Sequence, residues 1–265
     1  MIGYARYVRS IPVLAWMACA VAGSAQACAP FGSNEVAGAP DGGGSNDAAA
    51  AGPDGASPGQ GFCADAGAAF CDDFERSEIG GAWGAENSLG ASSLVIDDAF
   101  SASASRSLRV FAPMGADSAH VLTRPTRVGA TVFHLSFAMR LAELPAAGCQ
   151  FAAVNFAGRN KVYLTWNQGA ARLSLNEQDF PDGGTEDILF DEPVGVPPVG
   201  RFVRYDLRVD VGANIATLET DEPGLRATMQ LRIPHLGPLH FAIGNVYTKP
   251  STRDRTVWFD DVRIE

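Results

Sequence analysis

Five carboxylates crowd into two short stretches that lie far apart in the chain. Asp72, Asp73 and Glu75 sit in Phe70-Cys71-Asp72-Asp73-Phe74-Glu75, and Asp260 and Asp261 in Trp258-Phe259-Asp260-Asp261-Val262-Arg263-Ile264-Glu265. Carboxylates are hard oxygen donors, and calcium takes six to eight such oxygens. If the two stretches meet in space, Asp72, Glu75 and Asp260 are the expected ligands of a structural Ca2+, the one cofactor the residues suggest. The competing reading is that these acids are simply solvated. Both stretches alternate apolar and acidic residues, which is a strand pattern before it is a site. That alternation puts Asp72 with Phe74 on one face and Asp73 with Glu75 on the other. It also points the adjacent Asp260 and Asp261 to opposite faces, so the two cannot both reach one ion. No His or Cys pair has zinc spacing. The two stretches are therefore expected to be strands that pair and close the domain.

A second set of polar residues could hold a sugar. Thr131 to Leu141 reads T-V-F-H-L-S-F-A-M-R-L, with Phe133, Leu135, Phe137, Met139 and Leu141 on one face. His134, Ser136 and Arg140 then look outward. The matching polar phase on the following strands is Tyr163, Thr165 and Asn167, then Arg172, Ser174 and Asn176, with Asn245 and Tyr247 at the rim. On one sheet these would form a polar concave surface with Tyr163 as its aromatic platform. Sugars are held by such platforms together with amide and guanidinium groups. The bland alternative is that any sandwich shows water a polar face.

The elements that must position these groups are all strands. Arg106–Ala112, Thr131–Leu141, Phe151–Phe156, Lys161–Trp166, Ala171–Glu177, Arg201–Val211, Ile215–Asp221, Ala227–Ile233, Leu239–Asn245 and Val257–Ile264 show period-two alternation between Gly and Pro turns. About ten to twelve strands are expected, with no helix of convincing period. Asp179 to Glu192 reads as an acidic loop. Many short strands separated by turns predict two packed antiparallel sheets, an all-β sandwich over residues 62–265. Trp83, Trp166 and Trp258 are expected to pack in or beside its core.

The first 61 residues have a different character. Arg6 and Arg9 precede an apolar run from Ile11 to Gly23, and Ala25-Gln26-Ala27 offers small residues for cleavage. This is an export signal over residues 1–27, too short for a membrane span. Cys28 follows directly, where a bacterial lipoprotein carries its lipid, although Ala25 replaces the usual larger aliphatic residue. Ordinary cleavage leaving a terminal thiol is the alternative. Residues 28–61 are rich in Gly, Ala, Pro and Ser and read as a disordered tether. The expected location is the outer membrane or cell surface, or else the periplasm or medium.

Cysteine pairing follows from export. If Cys28 is lipidated, Cys63 and Cys71 form the favoured disulfide, because a seven-residue gap closes cheaply, and Cys149 is a lone, half-buried thiol. If Cys28 keeps its thiol, four cysteines allow three connectivities. The net charge of −10, which becomes −12 without the leader's two arginines, comes with no basic stripe. Nucleic acid is excluded as a partner, and a membrane is expected only through the lipid anchor.

Three stretches carry a resemblance: C-D-D-F-E with Gly80-Gly81-Ala82-Trp83, then R-F-V-R-Y-D-L-R-V-D-V with its Gly-Ala-Asn turn and A-T-L-E-T-D, then W-F-D-D-V-R-I-E. Together they resemble the concanavalin A-like lectin/glucanase jelly rolls of secreted or lipid-anchored bacterial proteins. Galactose-binding-like sandwich modules are the alternative. The resemblance implies a two-sheet antiparallel jelly roll, a glycan partner and a structural calcium tying the terminal strands. It also sets a test for catalysis. Family 16 glycosidases on this fold use Glu-x-Asp-x-x-Glu, whereas Glu219-Thr220-Asp221-Glu222-Pro223-Gly224 ends in glycine. The Gln-x-His and Tyr-rich motifs of alginate-lyase-like jelly rolls are missing as well. The expected role is non-catalytic binding of a carbohydrate or cell-envelope glycan. A glycan-active hydrolase or lyase with an unrecognised site, and a structural surface protein, are the alternatives.

Overall fold

A computed structural model describes residues 62–64 and 68–265, except 81, 82, 104, 116–118, 124–129, 157–159, 180–186 and 234–238; the side chains of 85, 122, 123, 187, 247 and 248 also lie outside the description. The expected leader, the lipidation at Cys28 and the tether to residue 61 all lie outside the described residues.

Fifteen strands and one 3-10 turn (Phe62–Ala64) make up the described chain. In order they are β1 (Phe70–Asp72), β2 (Trp83–Ser88), β3 (Ser93–Asp97), β4 (Ser107–Ala112), β5 (Ala119–Thr123), β6 (Val132–Leu141), β7 (Cys149–Phe156) and β8 (Asn160–Asn167). There follow β9 (Arg172–Asp179), β10 (Asp187–Gly195), β11 (Phe202–Asp210), β12 (Ile215–Thr220), β13 (Ala227–Gln230), β14 (Leu239–Thr248) and β15 (Arg255–Ile264). The first sheet runs β13-β12-β11-β6-β15-β4-β3, with β1 paired to β15; the second runs β10-β9-β8-β7-β14-β5-β2. Every pairing between the described strands is antiparallel.

The alternation in β6 does what its sequence dictates. Phe133, Leu135, Phe137, Met139 and Leu141 are buried, and they join Phe151, Val154, Phe156, Leu164 and Leu175 from the second sheet in one core. Phe137 stacks on Tyr205 (centroids 5.4 Å apart) and tilts against Phe259 (5.9 Å), tying β6, β11 and β15 together by large apolar surfaces. Trp83, Trp166 and Trp258 are buried as expected.

The two terminal stretches meet. Phe70, Cys71 and Asp72 pair with Ile264, Arg263 and Val262. The Cys63–Cys71 disulfide is formed and clips the start of the sandwich to β1. Cys149 is fully buried rather than half-buried. Burial pushes its thiol up to about 12, against the opposing pull of Arg255, so it is an inert core residue.

Four strands exceed the expectation: β2, β3, β5 and β10. The sequence W-G-A-E-N-S of β2 lacks clean alternation, and A-H-V-L-T of β5 is short. The expected acidic loop from Asp179 contains β10 from Asp187 onward, and that strand tolerates Pro193 because it lies at the edge of its sheet.

Candidate functional site

The outer face of the second sheet holds a cleft of about 320 Å³. Its floor comes from three neighbouring strands whose register is continuous: Tyr163 faces Ala153 on β7 and Asn176 on β9, and Thr165 faces Gln150 and Ser174. Alternation sends Val162, Leu164 and Leu175 into the core and leaves Tyr163, Thr165, Asn167 and Asn176 outward. Gln150, Tyr163, Thr165, Asn167 and Asn176 line the cleft, with Ile188 and Lys249 also on its walls.

The polar groups hold one another in place. Lys161 Nζ donates to Gln150 Oε1 (3.1 Å), and Thr165 Oγ1 donates to the Cys149 carbonyl (2.9 Å). Asp191 on β10 is the hub of the outer strands. It accepts from Asn167 Nδ2 (3.2 Å) and from Asn176, whose amide donates to Asp191 Oδ1 (3.0 Å) in the orientation that satisfies both partners. Arg172 adds an ion pair to the same carboxylate at 3.6 Å. Trp166, in phase with Val162 and Leu164, turns its indole into the core, where Nε1 has no hydrogen-bond partner among the described residues. Asp191 was hidden from the sequence by the loop assignment, although the continuous apolar run Ile188-Leu189-Phe190 before it carried a strand signal.

The expected concave surface is divided by the structure. His134, Ser136 and Arg140 lie on β6, which pairs with β11 and β15 in the first sheet. Tyr163, Asn167, Arg172 and Asn176 lie on β8 and β9 in the second. The chain crosses from one sheet to the other between Leu141 and Cys149. Alternation reports whether a side chain faces in or out, not which sheet its strand joins. His134 Nδ1 stands 3.6 Å from Asp206, a diagonal neighbour on the adjacent strand β11, and has no part in the cleft. Tyr163 is only 3% exposed and packs with Ala153 and Ala242. It is floor, not a platform on which a sugar ring can stack. Asn245 is not at a rim either: it is buried, and neither of its amide atoms finds a partner among the described residues. The backbone of Tyr247 pairs with Gln150, beside the cleft, while its side chain lies outside the described residues.

The three acids expected around calcium are not brought to one point. Asp72 accepts from Phe74 N (2.9 Å), Arg76 Nη2 (2.6 Å) and Trp83 Nε1 (2.7 Å). Glu75 accepts from Ser105 N (3.0 Å), Ser105 Oγ (2.8 Å) and Arg106 N (3.1 Å). Asp260 accepts from Ala102 N at 2.7 Å. Each carboxylate closes a turn with protein donors, and no three His, Cys, Asp or Glu side chains gather at one point among the described residues. Two local departures from strand geometry set where these acids point. Phe74 has φ 54° and Asp261 has φ 50°. The first ends β1 and folds Phe74 into the core over Trp83. The second makes a bulge in β15, where the register jumps from Asp260↔Ala138 to Arg263↔Ser136. The bulge cancels the alternation, so Asp260 and Asp261 both reach the loop at Ala102 and Ser103.

No family profile and no curated protein matches the sequence. Solved structures do match the fold. The chain is similar to an endo-β-1,4-glucuronan lyase from the fungus Trichoderma reesei, with TM-score 0.58 and 12% identity over 74% of this chain and 94% of that one. It is also similar to the cellulose-induced protein Cip1, with TM-score 0.53 and 16% identity over 74% and 96%. The fold is a concanavalin A-like antiparallel jelly roll.

Proposed function

We propose that this protein binds a carbohydrate chain in the cleft formed by β7, β8 and β9. The lining carries the reading: four amides, a threonine hydroxyl and one ammonium, with no acid among the described lining residues. Such a set matches sugar hydroxyls as donors and acceptors. Ile188, 60% exposed, supplies an apolar patch at the wall for the carbon face of a sugar ring. Glycoside hydrolysis by two carboxylates needs an opposed acidic pair, and this lining offers none. That the same fold serves a glucuronan lyase and a cellulose-induced protein supports a glycan as the ligand class. Export, lipidation at Cys28 and the Gly/Ala/Pro/Ser-rich segment to residue 61 complete the proposal: they would present the domain to glycans of the cell envelope.

The test is a glycan array that includes neutral and uronate polymers, followed by calorimetry with wild type, Gln150→Ala and Lys249→Ala. Both substitutions are expected to weaken binding about tenfold or more, the scale of one hydrogen bond to a charged or buried group. Binding that neither variant alters, or no binding at all, removes the cleft from the proposal. Accumulation of unsaturated sugars, seen by their ultraviolet absorbance, would replace binding by a lyase activity.

A further inference from the structure

The outer face of the first sheet carries a second cleft, of about 490 Å³, with three arginines, Arg140, Arg201 and Arg204, among its lining residues. Two of them are neutralised inside the protein. Arg201 pairs with Glu222, and Arg204 Nη2 reaches Asp261 Oδ2 at 2.6 Å. Arg140 has no such partner among the described residues. Its Nε donates to the Gly200 carbonyl (3.1 Å), and its Nη1 is shielded from solvent with no hydrogen bond. Its charge is balanced only by aromatic faces: the guanidinium carbon lies 3.5 Å from the Phe100 ring centroid and 4.6 Å from that of Trp258. Asp221 is the acid on the cleft wall, and its Oδ1 is already occupied by Arg204 N at 2.9 Å.

We infer that this second cleft binds an oxyanion, a carboxylate or sulfate group, through Arg140. With Nε on the Gly200 carbonyl and Nη1 shielded, Nη2 is the guanidinium donor left to the cleft, and a charge-assisted bond from it to such a group is about twice as strong as a neutral one. Stacking against two rings, together with the bond from Nε to Gly200, holds the guanidinium in one orientation. Phe100 is 42% exposed, so it leaves open aromatic surface beside the guanidinium for whatever carries the anion. The site does not rest on the carbohydrate cleft, which lies on the other sheet.

The Arg140 Nε–H resonance in the NMR spectrum of the protein reads the site directly. The titrants are sodium sulfate, sodium glucuronate, glucose and sodium chloride. A saturable shift with sulfate, with glucuronate or with both is expected, and it distinguishes an inorganic from a sugar-borne anion. Glucose and chloride are expected to give none. Arg140→Gln should abolish saturable binding, and Arg140→Lys, which keeps the charge but not the planar group stacked on the two rings, should weaken it about tenfold. The wild-type titration stands even if a variant fails to fold. Shifts no larger than those of chloride, or an Arg140→Gln protein that binds like wild type, overturn the inference. Loss of neutral-glycan binding on Gln150→Ala leaves this result untouched, so the two sites fail separately.

Discussion

Asp260 is fully shielded from solvent in the bulge of β15, where its neighbour Asp261 is also an acid. Burial pushes its carboxyl up from 3.8 to about 6, Asp261 adds to the rise, and N–H groups from Ala102, Asp261 and Ser103 oppose it. Between those two values the folded chain holds a proton that the unfolded chain has lost. Stability contributed by the protonated form is thus complete below about 3.8 and is lost as pH rises through about 6. Asp260→Asn cannot titrate, and it forfeits one acceptor, because its amide nitrogen must face either the Ala102 or the Asp261 N–H. A cost of about 1 kcal/mol is expected at low pH. A rise of about two units amounts to roughly 3 kcal/mol, so the wild-type advantage in melting temperature should shrink as pH rises from about 4 and reverse in sign by about 7. A wild-type advantage that stays constant or grows with pH would show that the carboxylate is ionised throughout.

At the scale of elements, β14 depends on one glycine. Gly244 has φ 127°, and a Cβ there would lie 2.6 Å from the Ala119 carbonyl oxygen and 2.7 Å from His120 Cα. Both obstacles are backbone of β5, so neither can swing aside. Gly244→Ala is expected to destabilise by about 2–5 kcal/mol, combining strain at positive φ with overpacking, as a lower urea midpoint at unchanged m value. A midpoint equal to wild type would mean that β5 and β14 can separate freely. The same strand shows what sequence can and cannot tell. Alternation in β6, β8 and β11 is strict, so their inward residues were legible. The bulges were not: Gly244 reads as an ordinary strand glycine, and Asp261 as an acid on the face opposite Asp260. Positive φ at a non-glycine residue is imposed by tertiary contacts, here Ser103 and Arg204 on the two carboxylate oxygens of Asp261. Half of the candidate site was legible for the same reason. Tyr163, Asn167 and Asn176 share a face by local alternation, whereas His134 and Arg140 needed the sheet assignment that only long-range pairing decides.

For the whole molecule, closure falls to its last strand. β15 lies in the middle of the first sheet, bonded to β6 along one side and to β4 and then β1 along the other. Its inward residues Val257, Phe259, Val262 and Ile264 are all within the core. The opening acidic stretch and the closing one therefore matter less as ligands than as the two ends of one ladder, stapled by Asp72, Glu75 and Asp260 to the turns around it. A chain stopped after Asp254 loses four core side chains, at about 1.5–3 kcal/mol each, and leaves Phe137 and Met139 facing the gap. That sum approaches or exceeds the total stability of an ordinary domain, about 5–15 kcal/mol, before the severed hydrogen bonds of β4 and β6 are counted. The truncated chain is expected to lack a dispersed proton NMR spectrum and to show no cooperative thermal transition. A dispersed spectrum would mean that β4 and β6 can pair directly across the gap, and that the ladder between the two acidic stretches is an accessory to the sandwich rather than its closure.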